Sequence, residues 1–165
     1  MSTYDILHTI MFSITAEYAL RAVVLLAIRH GSPQTAQQIA AETRVPVDYL
    51  FKVLQSLARA GLVQAQRGKR GGFNLRNDPA EISIWEIIQA VDPIRRITTC
   101  PLGLPAHGIR LCSLHRKLDD AMQHVEEAFA STMLSDLIDD ASPIRPLCAA
   151  EVNPEGWEAN HAKPV

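Results

Sequence analysis

The sequence predicts a mainly α-helical fold with a small β wing, namely a winged helix-turn-helix followed by a long dimerisation helix. Two short amphipathic segments within residues 35–59 are separated by a three-residue break, which is typical of a helix-turn-helix. Two short runs flank a cationic, glycine-rich hexapeptide at 67–72, which predicts a hairpin. An apolar repeat then extends from 114 to 132 with the alternating spacing of a coiled-coil seam. A chain of 165 residues, 47% of them hydrophobic, can build one compact core with an appendage.

The N-terminal part contributes a predicted extension and a first helix. Residues 1–11 lack the cationic start and long apolar run of a secretory signal, and the longest apolar stretch, residues 22–28, is far too short to span a membrane. We therefore expect a cytoplasmic protein in which residues 1–11 form an N-terminal extension. Residues 13–30 predict a strongly apolar helix, which Gly31 and Pro33 terminate.

The next two predicted helices form the helix-turn-helix. Thr35 and Gln38 have the spacing of a capping box, which begins the first of them. Residues 43–45 match the turn, Pro46 suits the first position of the second helix, and Gly61 ends that helix. The second helix turns an apolar face to the core: Leu50, Val53, Leu54 and Leu57. Its opposite face carries side chains able to meet phosphates or base edges: Tyr49, Lys52, Gln55, Ser56 and Arg59.

A hairpin with a cationic tip is predicted next, with strands at 62–66 and 73–75. Glycine lets the backbone approach closely and adopt positive φ, and arginine neutralises phosphate and fits the narrow minor groove of A·T-rich DNA. The alternative is a solvated turn that is merely basic, but a helix-turn-helix directly before it favours a winged helix that binds double-stranded DNA. The tip residues predicted to contact DNA are Arg67, Lys69, Arg70, Gly71 and Gly72.

Charge is distributed unevenly along the chain. The formal net charge of −2 by itself argues against nucleic-acid binding. Residues 12–80, however, contain nine Lys and Arg against four Asp and Glu, whereas residues 81–165 contain seven against thirteen. The basic surplus lies in the segment 12–80, which we predict to be the DNA-binding domain.

The segment 81–140 is predicted to hold a sensor loop. Ser83 and Glu86 form a second capping box, for a helix that ends before Pro93. A loop follows over 94–111, with Cys100 inside it and Cys112 at its far edge. Loops of this length without secondary structure are usually functional.

From residue 113 a single helix is predicted to about residue 140. Its a/d stripe favours a homodimer, whose two-fold symmetry would match a palindromic operator; packing within one chain is the alternative. The stripe consists of Leu114, Leu118, Ala121, Val125, Ala128 and Thr132. Residues 141–165, with four prolines and no periodicity, are predicted to be a disordered tail.

Four segments together resemble the Rrf2 family of bacterial winged-helix transcription regulators: FSITAEYAL at 12–20, VDYLFKVL at 47–54, AGLV at 60–63 and RGKRGGF at 67–73. That family includes the iron–sulfur cluster regulator, the nitric-oxide-sensing repressor and the cysteine-metabolism repressor. The resemblance covers roughly residues 11–139. It implies a dimer in which the helix after Pro46 enters the major groove and the wing reaches the minor groove. Many members hold an iron–sulfur cluster in the loop before the dimerisation helix.

This chain matches the cluster motif only in part. Cluster-binding relatives typically carry three evenly spaced cysteines in the loop, and one subgroup adds a histidine shortly after the last. Here Cys100 and Cys112 are present, with His115 at the position of that histidine, but the middle cysteine is missing and only His107 lies between. Glu17 falls where some relatives use a carboxylate from the dimer partner.

The candidate metal ligands are therefore Cys100, Cys112, His115 and Glu17. Two thiolates with an imidazole or a carboxylate could hold a two-iron, two-sulfur cluster. The same donors could hold zinc, or the thiols could be ordinary ones that bind no metal. The predicted function is a sequence-specific transcriptional regulator, repressor rather than activator, with DNA affinity modulated by a cluster or by thiol state in the 94–112 loop.

Three alternatives stay open at this point. One is a cluster-free regulator that senses through thiols or a protein partner. Another is an adaptor that keeps the winged helix without DNA affinity. The third, from another class, is a redox enzyme using Cys100 and Cys112, but the sequence has no Cys-x-x-Cys motif and no activating base at fixed spacing. We therefore expect a protein that is not an enzyme.

Overall fold

A computed structural model describes residues 12–68, 71–101, 103 and 110–139. The predicted extension 1–11, the predicted tail 141–165, Lys69, Arg70 and His107 lie outside the described residues. Within the described ranges the elements run in this order: α1 (Ile14–Ile28), α2 (Ala36–Thr43), α3 (Val47–Arg59), β1 (Val63–Gln66), β2 (Gly72–Leu75), a short 3-10 helix (Pro79–Glu81), α4 (Ile84–Val91), α5 (Ser113–Ala130) and α6 (Leu134–Ile138). The mainly helical fold with a small β wing is confirmed.

Helix α1 forms the centre of the fold. Residues 22–27 are buried without interruption, so every side of the helix meets protein, as expected for a helix that is apolar all round. Its side chains join one hydrophobic cluster with α2, α3, β2, α4 and α6. That cluster includes residues on both sides of residue 80, and the domain boundary placed there stays a prediction.

The helix-turn-helix forms as its local signals predict. The Thr35 side chain accepts from the Gln38 N–H, and the Gln38 side chain accepts from the Thr35 N–H, so the capping box is complete. Arg44 adopts a left-handed conformation with φ of 55°, which reverses the chain between the helices. The sequence predicts Pro46 as the first helical residue of α3, but in the structure it is the N-cap, one position earlier. Its carbonyl accepts from the Leu50 N–H and begins the helix.

The wing is a two-stranded antiparallel hairpin in which Val63 pairs with Leu75 and Gln66 with Gly72. The hairpin is held to the helix-turn-helix through Gln34, just before α2. The Gln34 N–H donates to the Phe73 carbonyl (2.9 Å), and the Phe73 N–H donates to the Gln34 carbonyl (2.7 Å). These two bonds fix the base of the wing relative to the helix-turn-helix.

The prediction of one helix from 113 to about 140 is wrong. Helix α5 ends at Ala130, and the separate helix α6 begins at Leu134, so Thr132 does not continue the a/d stripe. The Thr132 hydroxyl bonds to the Ala128 carbonyl (2.8 Å), as hydroxyl side chains near a helix end often do. The intervening residues instead pair with the start of α4: the Ile84 N–H donates to the Thr132 carbonyl, and Leu134 N–H donates to the Ile82 carbonyl. This turn buries Leu134 in the core.

Candidate nucleic-acid interface and sensor loop

Helix α3 presents a polar face to solvent. Lys52 and Gln55 are exposed, and within the part of the chain that the structure describes their side chains make no hydrogen bond or ion pair. Arg59 is also exposed, and its guanidinium lies along the helix end, 3.3 Å from the Gln55 carbonyl and 3.4 Å from the Ser56 hydroxyl. These three side chains are available to a ligand that approaches the helix from outside.

Tyr49 is turned toward α1 rather than outward. Its hydroxyl lies 2.5 Å from the Thr15 hydroxyl, and its ring packs edge to face on Tyr18 with centroids 5.4 Å apart. The residue is half-buried and joins α3 to the central helix. Sequence reasoning placed it with the outward polar residues because a tyrosine at the margin of a helical face suits either side.

Two apolar residues of α3 are exposed that sequence reasoning did not assign. Val47 is 40% exposed and Phe51 is 48% exposed. The Phe51 ring packs perpendicular to that of Phe73 on β2, with centroids 6.1 Å apart. Val47 and Phe51 are four residues apart and lie outside the apolar stripe that includes Leu50 and Leu54. That pattern is the sequence signal that could have identified them as exposed.

The tip of the wing depends on glycine for steric reasons. Arg67 is exposed directly after β1. A Cβ on Gly71 would lie 2.4 Å from the Gln66 carbonyl oxygen, and a Cβ on Gly72 would lie 2.5 Å from the Gln34 carbonyl oxygen. Gly71 is therefore required by the hairpin itself and Gly72 by the close approach of Gln34, independently of any contact with DNA.

The candidate metal ligands converge only in part. Cys112 is the N-cap of α5, and its Sγ lies 3.3 Å from Nδ1 of His115 one turn later. Cys100 is buried, at 8% exposure, and both cysteines are thiols. The Glu17 carboxylate pairs with the Arg21 guanidinium on its own helix (2.8 Å). In residues 12–68, 71–101, 103 and 110–139, no three His, Cys, Asp or Glu side chains are grouped as a metal site would need.

The start of the predicted sensor loop is hydrogen-bonded to α5. The Arg96 guanidinium binds the Asp119 carboxylate through two bonds, of 2.7 and 2.6 Å, and the Ile97 N–H donates to the same carboxylate (2.8 Å). Arg96 also donates to the Gln123 amide oxygen (3.1 Å). The hydrogen bond from Arg96, followed by that from the Ile97 N–H, holds the pKa of Asp119 below its usual value, although partial desolvation opposes the shift.

Helix α5 is amphipathic but packs loosely on the rest of the chain. None of its described residues is fully buried, and Leu114 and Leu118 are 63% and 48% exposed. A groove of about 410 Å³ separates α5 from the ends of α1 and α4. It is lined mainly by apolar side chains: Phe12, Ala16, Ile88, Ile94, Ile97, Leu118, Ala121, Met122 and Val125, with Ser13 and Asp92 also contributing.

Among the described helices, none has the length and apolar content needed to cross a bilayer.

Comparison with known proteins places this architecture among transcription regulators. The Rrf2 family, described as iron-dependent transcriptional regulators, matches residues 12–140. A protein of Aquifex aeolicus (strain VF5), named as an HTH-type transcriptional regulator, is 30% identical over 131 residues, which are 78% of this chain and 91% of that protein. A protein of Mycobacterium tuberculosis (strain H37Rv) with the same kind of name is 34% identical over 136 residues, which are 79% of this chain and 83% of that protein.

Two solved structures have the same fold. The T. potens IscR chain superposes with a TM-score of 0.67 at 24% identity, covering 81% of this chain and 90% of that one. CymR of B. subtilis, named as the global cysteine regulator, superposes with a TM-score of 0.65 at 27% identity, covering 78% of this chain and 96% of that one.

Proposed function

Because the chain belongs to the Rrf2 family of transcriptional regulators, we propose that it binds a palindromic operator as a homodimer and represses transcription according to the chemical state of its 94–112 loop. The observation that carries the proposal is the fixed relation between α3 and the wing. Tyr49 bonds α3 to Thr15 of the central helix, and Gln34 pairs with Phe73 at the wing base. A rigid pair of elements with an exposed polar face and a basic tip suits a DNA groove.

In the proposed complex α3 enters the major groove, and the tip at 67–72 reaches the adjacent minor groove. Lys52 and Arg59 contact phosphates, and Gln55, at the centre of the exposed face, reads base edges. Arg67, Lys69 and Arg70 bind the minor groove. Tyr49 acts indirectly, since its ring and hydroxyl hold α3 in place.

A second subunit supplies the symmetry that a palindrome requires. The exposed Leu114 and Leu118 on α5 support a dimer in which the α5 helices of two subunits bury each other. Two heads would then lie on one side of the duplex at half-sites about one helical turn apart. DNA is in the cytoplasm of bacteria, which is where such a regulator acts.

The sensing chemistry belongs to Cys112 and His115. A thiolate is the form of cysteine that binds metal and reacts with oxidants, and the neighbouring imidazole can accept the thiol proton. A two-iron, two-sulfur cluster is favoured by the iron-dependent description of the family. A two-iron, two-sulfur cluster needs four protein ligands, and no three candidate ligands are grouped among the described residues of one chain. The proposed set is therefore completed when Cys100 and a Glu17 carboxylate from the second subunit join Cys112 and His115. Thiol oxidation without a cluster needs only Cys112 and His115.

The redox-enzyme alternative is disfavoured because the family is one of regulators. Turnover of a thiol substrate that is lost on Cys100→Ser would revive it.

The decisive experiment is selection of duplexes from a random DNA pool by the full-length protein, followed by titration of the enriched duplex. We expect a Kd in the nanomolar range, about 10⁻⁸ M or tighter at physiological salt. Arg67→Ala and Lys52→Ala should each weaken binding and lower the salt slope by about one. Lys117→Ala on α5 makes the same change in charge away from the head and should leave the slope unchanged. Failure to enrich any duplex would refute the proposed function.

A further inference from the structure

The exposed face of α3 is divided into a polar side and an apolar side. At about 100° per residue, Phe51 lies about 40° around the helix from Gln55, in the direction opposite to Arg59 and Lys52. Val47 lies one turn before Phe51 on the same side. The cations therefore occupy one margin of the face, Gln55 its centre, and the two apolar side chains the margin nearest the wing, where Phe51 contacts Phe73.

Resting on the proposed function, we propose that Phe51 determines part of the operator sequence by packing against the 5-methyl group of a thymine in the major groove. That methyl is the apolar group a base pair presents in the major groove, and apolar side chains, Phe among them, recognise it. An A·T pair would thus be favoured over a G·C pair at one position of each half-site.

The way Phe51 is held supports this role. Its edge-to-face contact with Phe73 limits the motion of the ring, and Phe73 is itself bonded to Gln34 through its backbone. Phe51 is nevertheless 48% exposed. A fixed aromatic ring loses little conformational entropy on binding, so burial against a methyl group contributes to affinity. Tyr49, the other aromatic residue of α3, is directed toward α1, so Phe51 is the aromatic side chain of α3 that can contact a base.

The other large apolar residues exposed on described helices lie elsewhere. Leu114 and Leu118 belong to α5, and Ile28 is at the end of α1. Val47 and Phe51 are the pair on the face that also carries Lys52, Gln55 and Arg59. An apolar patch on the same helix face as two cations that form no ion pair with the described acidic residues suits a nucleic-acid groove better than an apolar protein surface.

The test replaces thymine by deoxyuridine, one position at a time, in the duplex enriched by the full-length protein. This change removes only the methyl group. With the wild-type protein, we expect one position per half-site at which the substitution weakens binding about fourfold, as expected for one methyl-sized group no longer buried. With Phe51→Ala, the thymine and deoxyuridine duplexes should bind equally at that position.

Two further variants make the outcome specific. Lys52→Ala should weaken both duplexes alike and keep the fourfold ratio, whereas Phe51→Leu, which stays apolar, should keep a reduced ratio. The salt slope of Phe51→Ala should equal that of the wild type, because the ring neutralises no phosphate. An enriched duplex in which no methyl effect disappears in Phe51→Ala would overturn this inference and leave the proposed function standing. Absence of any enriched duplex would overturn both.

Discussion

Arg96 and Asp119 form a two-bond ion pair that joins the first residues of the proposed sensor loop to the middle of α5. The partners are 23 residues apart in sequence, and their bonds measure 2.7 and 2.6 Å. The Ile97 N–H completes the arrangement by donating to the same carboxylate. Since Cys100 follows Ile97 closely and α5 carries the exposed leucines, this attachment lies between the proposed sensing segment and the proposed dimer interface.

Removing the carboxylate should loosen the start of the loop. In Asp119→Ala, we expect the Ile97 amide to exchange with solvent about fivefold faster, because one hydrogen bond of ordinary net strength is lost. Hydrogen exchange followed by NMR or mass spectrometry measures this. Asp120→Ala is the matched control, since it removes the neighbouring carboxylate, which pairs only distantly with Lys117 (3.8 Å). Equal exchange in the two variants would contradict the role given to Asp119.

The same attachment should weaken in acid and not at neutral pH. The hydrogen bond from Arg96 lowers the pKa of Asp119 in the folded protein, so the unfolded chain binds its proton at higher pH. The contribution to stability is therefore complete above about pH 4, the ordinary range of an aspartate, and is lost as pH falls through the lower folded pKa. The urea midpoints of the wild type and Asp119→Asn should differ by the same amount at pH 7 and pH 5 and converge below pH 4. A difference that persists undiminished in strong acid would refute this.

Local chemistry predicted much of this fold. Both capping boxes and the terminating Gly61 depend on residues within a few positions of each other, and they form as expected. The long helix after residue 113 was predicted wrongly because pairing of residues 132–134 with the start of α4, fifty residues earlier, overrides its apolar period. The orientation of Tyr49 depends on Thr15, and the attachment of the loop depends on Asp119. Contacts over such separations leave no periodic signal in the sequence.

The wing base should be intolerant of any side chain at residue 72. In Gly72→Ala, the new Cβ would lie 2.5 Å from the Gln34 carbonyl oxygen and would displace its bond with the Phe73 N–H. We expect a loss of about 1–3 kcal/mol in the free energy of unfolding, typical of overpacking, with faster exchange of the Phe73 amide and weaker DNA binding.

Gly31→Ala provides the comparison for that variant. Residue 31 has φ of +79°, and no atom of the described residues lies within 4 Å of the added Cβ, so the substitution introduces backbone strain without a collision there. It should cost about 1–2 kcal/mol and leave the Phe73 amide and DNA affinity unchanged. If both variants lower DNA affinity equally, the effect arises from general destabilisation and not from the wing.

A charge on the exposed stripe of α5 should dissociate the dimer. Leu118→Asp places a carboxylate where two α5 helices are proposed to meet, and burying an unpaired charge there should raise the dimer dissociation constant at least about 100-fold. Sedimentation equilibrium measures the shift. Lys117→Asp, one residue away with a side chain that is 84% exposed, should leave the dimer intact. Dissociation by both variants, or by neither, would place the interface elsewhere.

The chemical state of Cys112 should control DNA affinity. Protein purified without oxygen and then exposed to an oxidant should change its affinity for the enriched duplex by about 5–150-fold, the usual range of coupling between two sites. Cys112→Ser should abolish the response, and His115→Ala should reduce it, because the imidazole no longer lies 3.3 Å from the thiol. Cys148→Ser, which removes a cysteine of the C-terminal segment, should respond like the wild type.

Visible absorbance with bound iron and sulfide in the oxygen-protected protein would identify the responding group as a cluster. A colourless protein that still responds would identify the responding group as the thiol. A response that survives Cys112→Ser would exclude both, because each requires that sulfur atom.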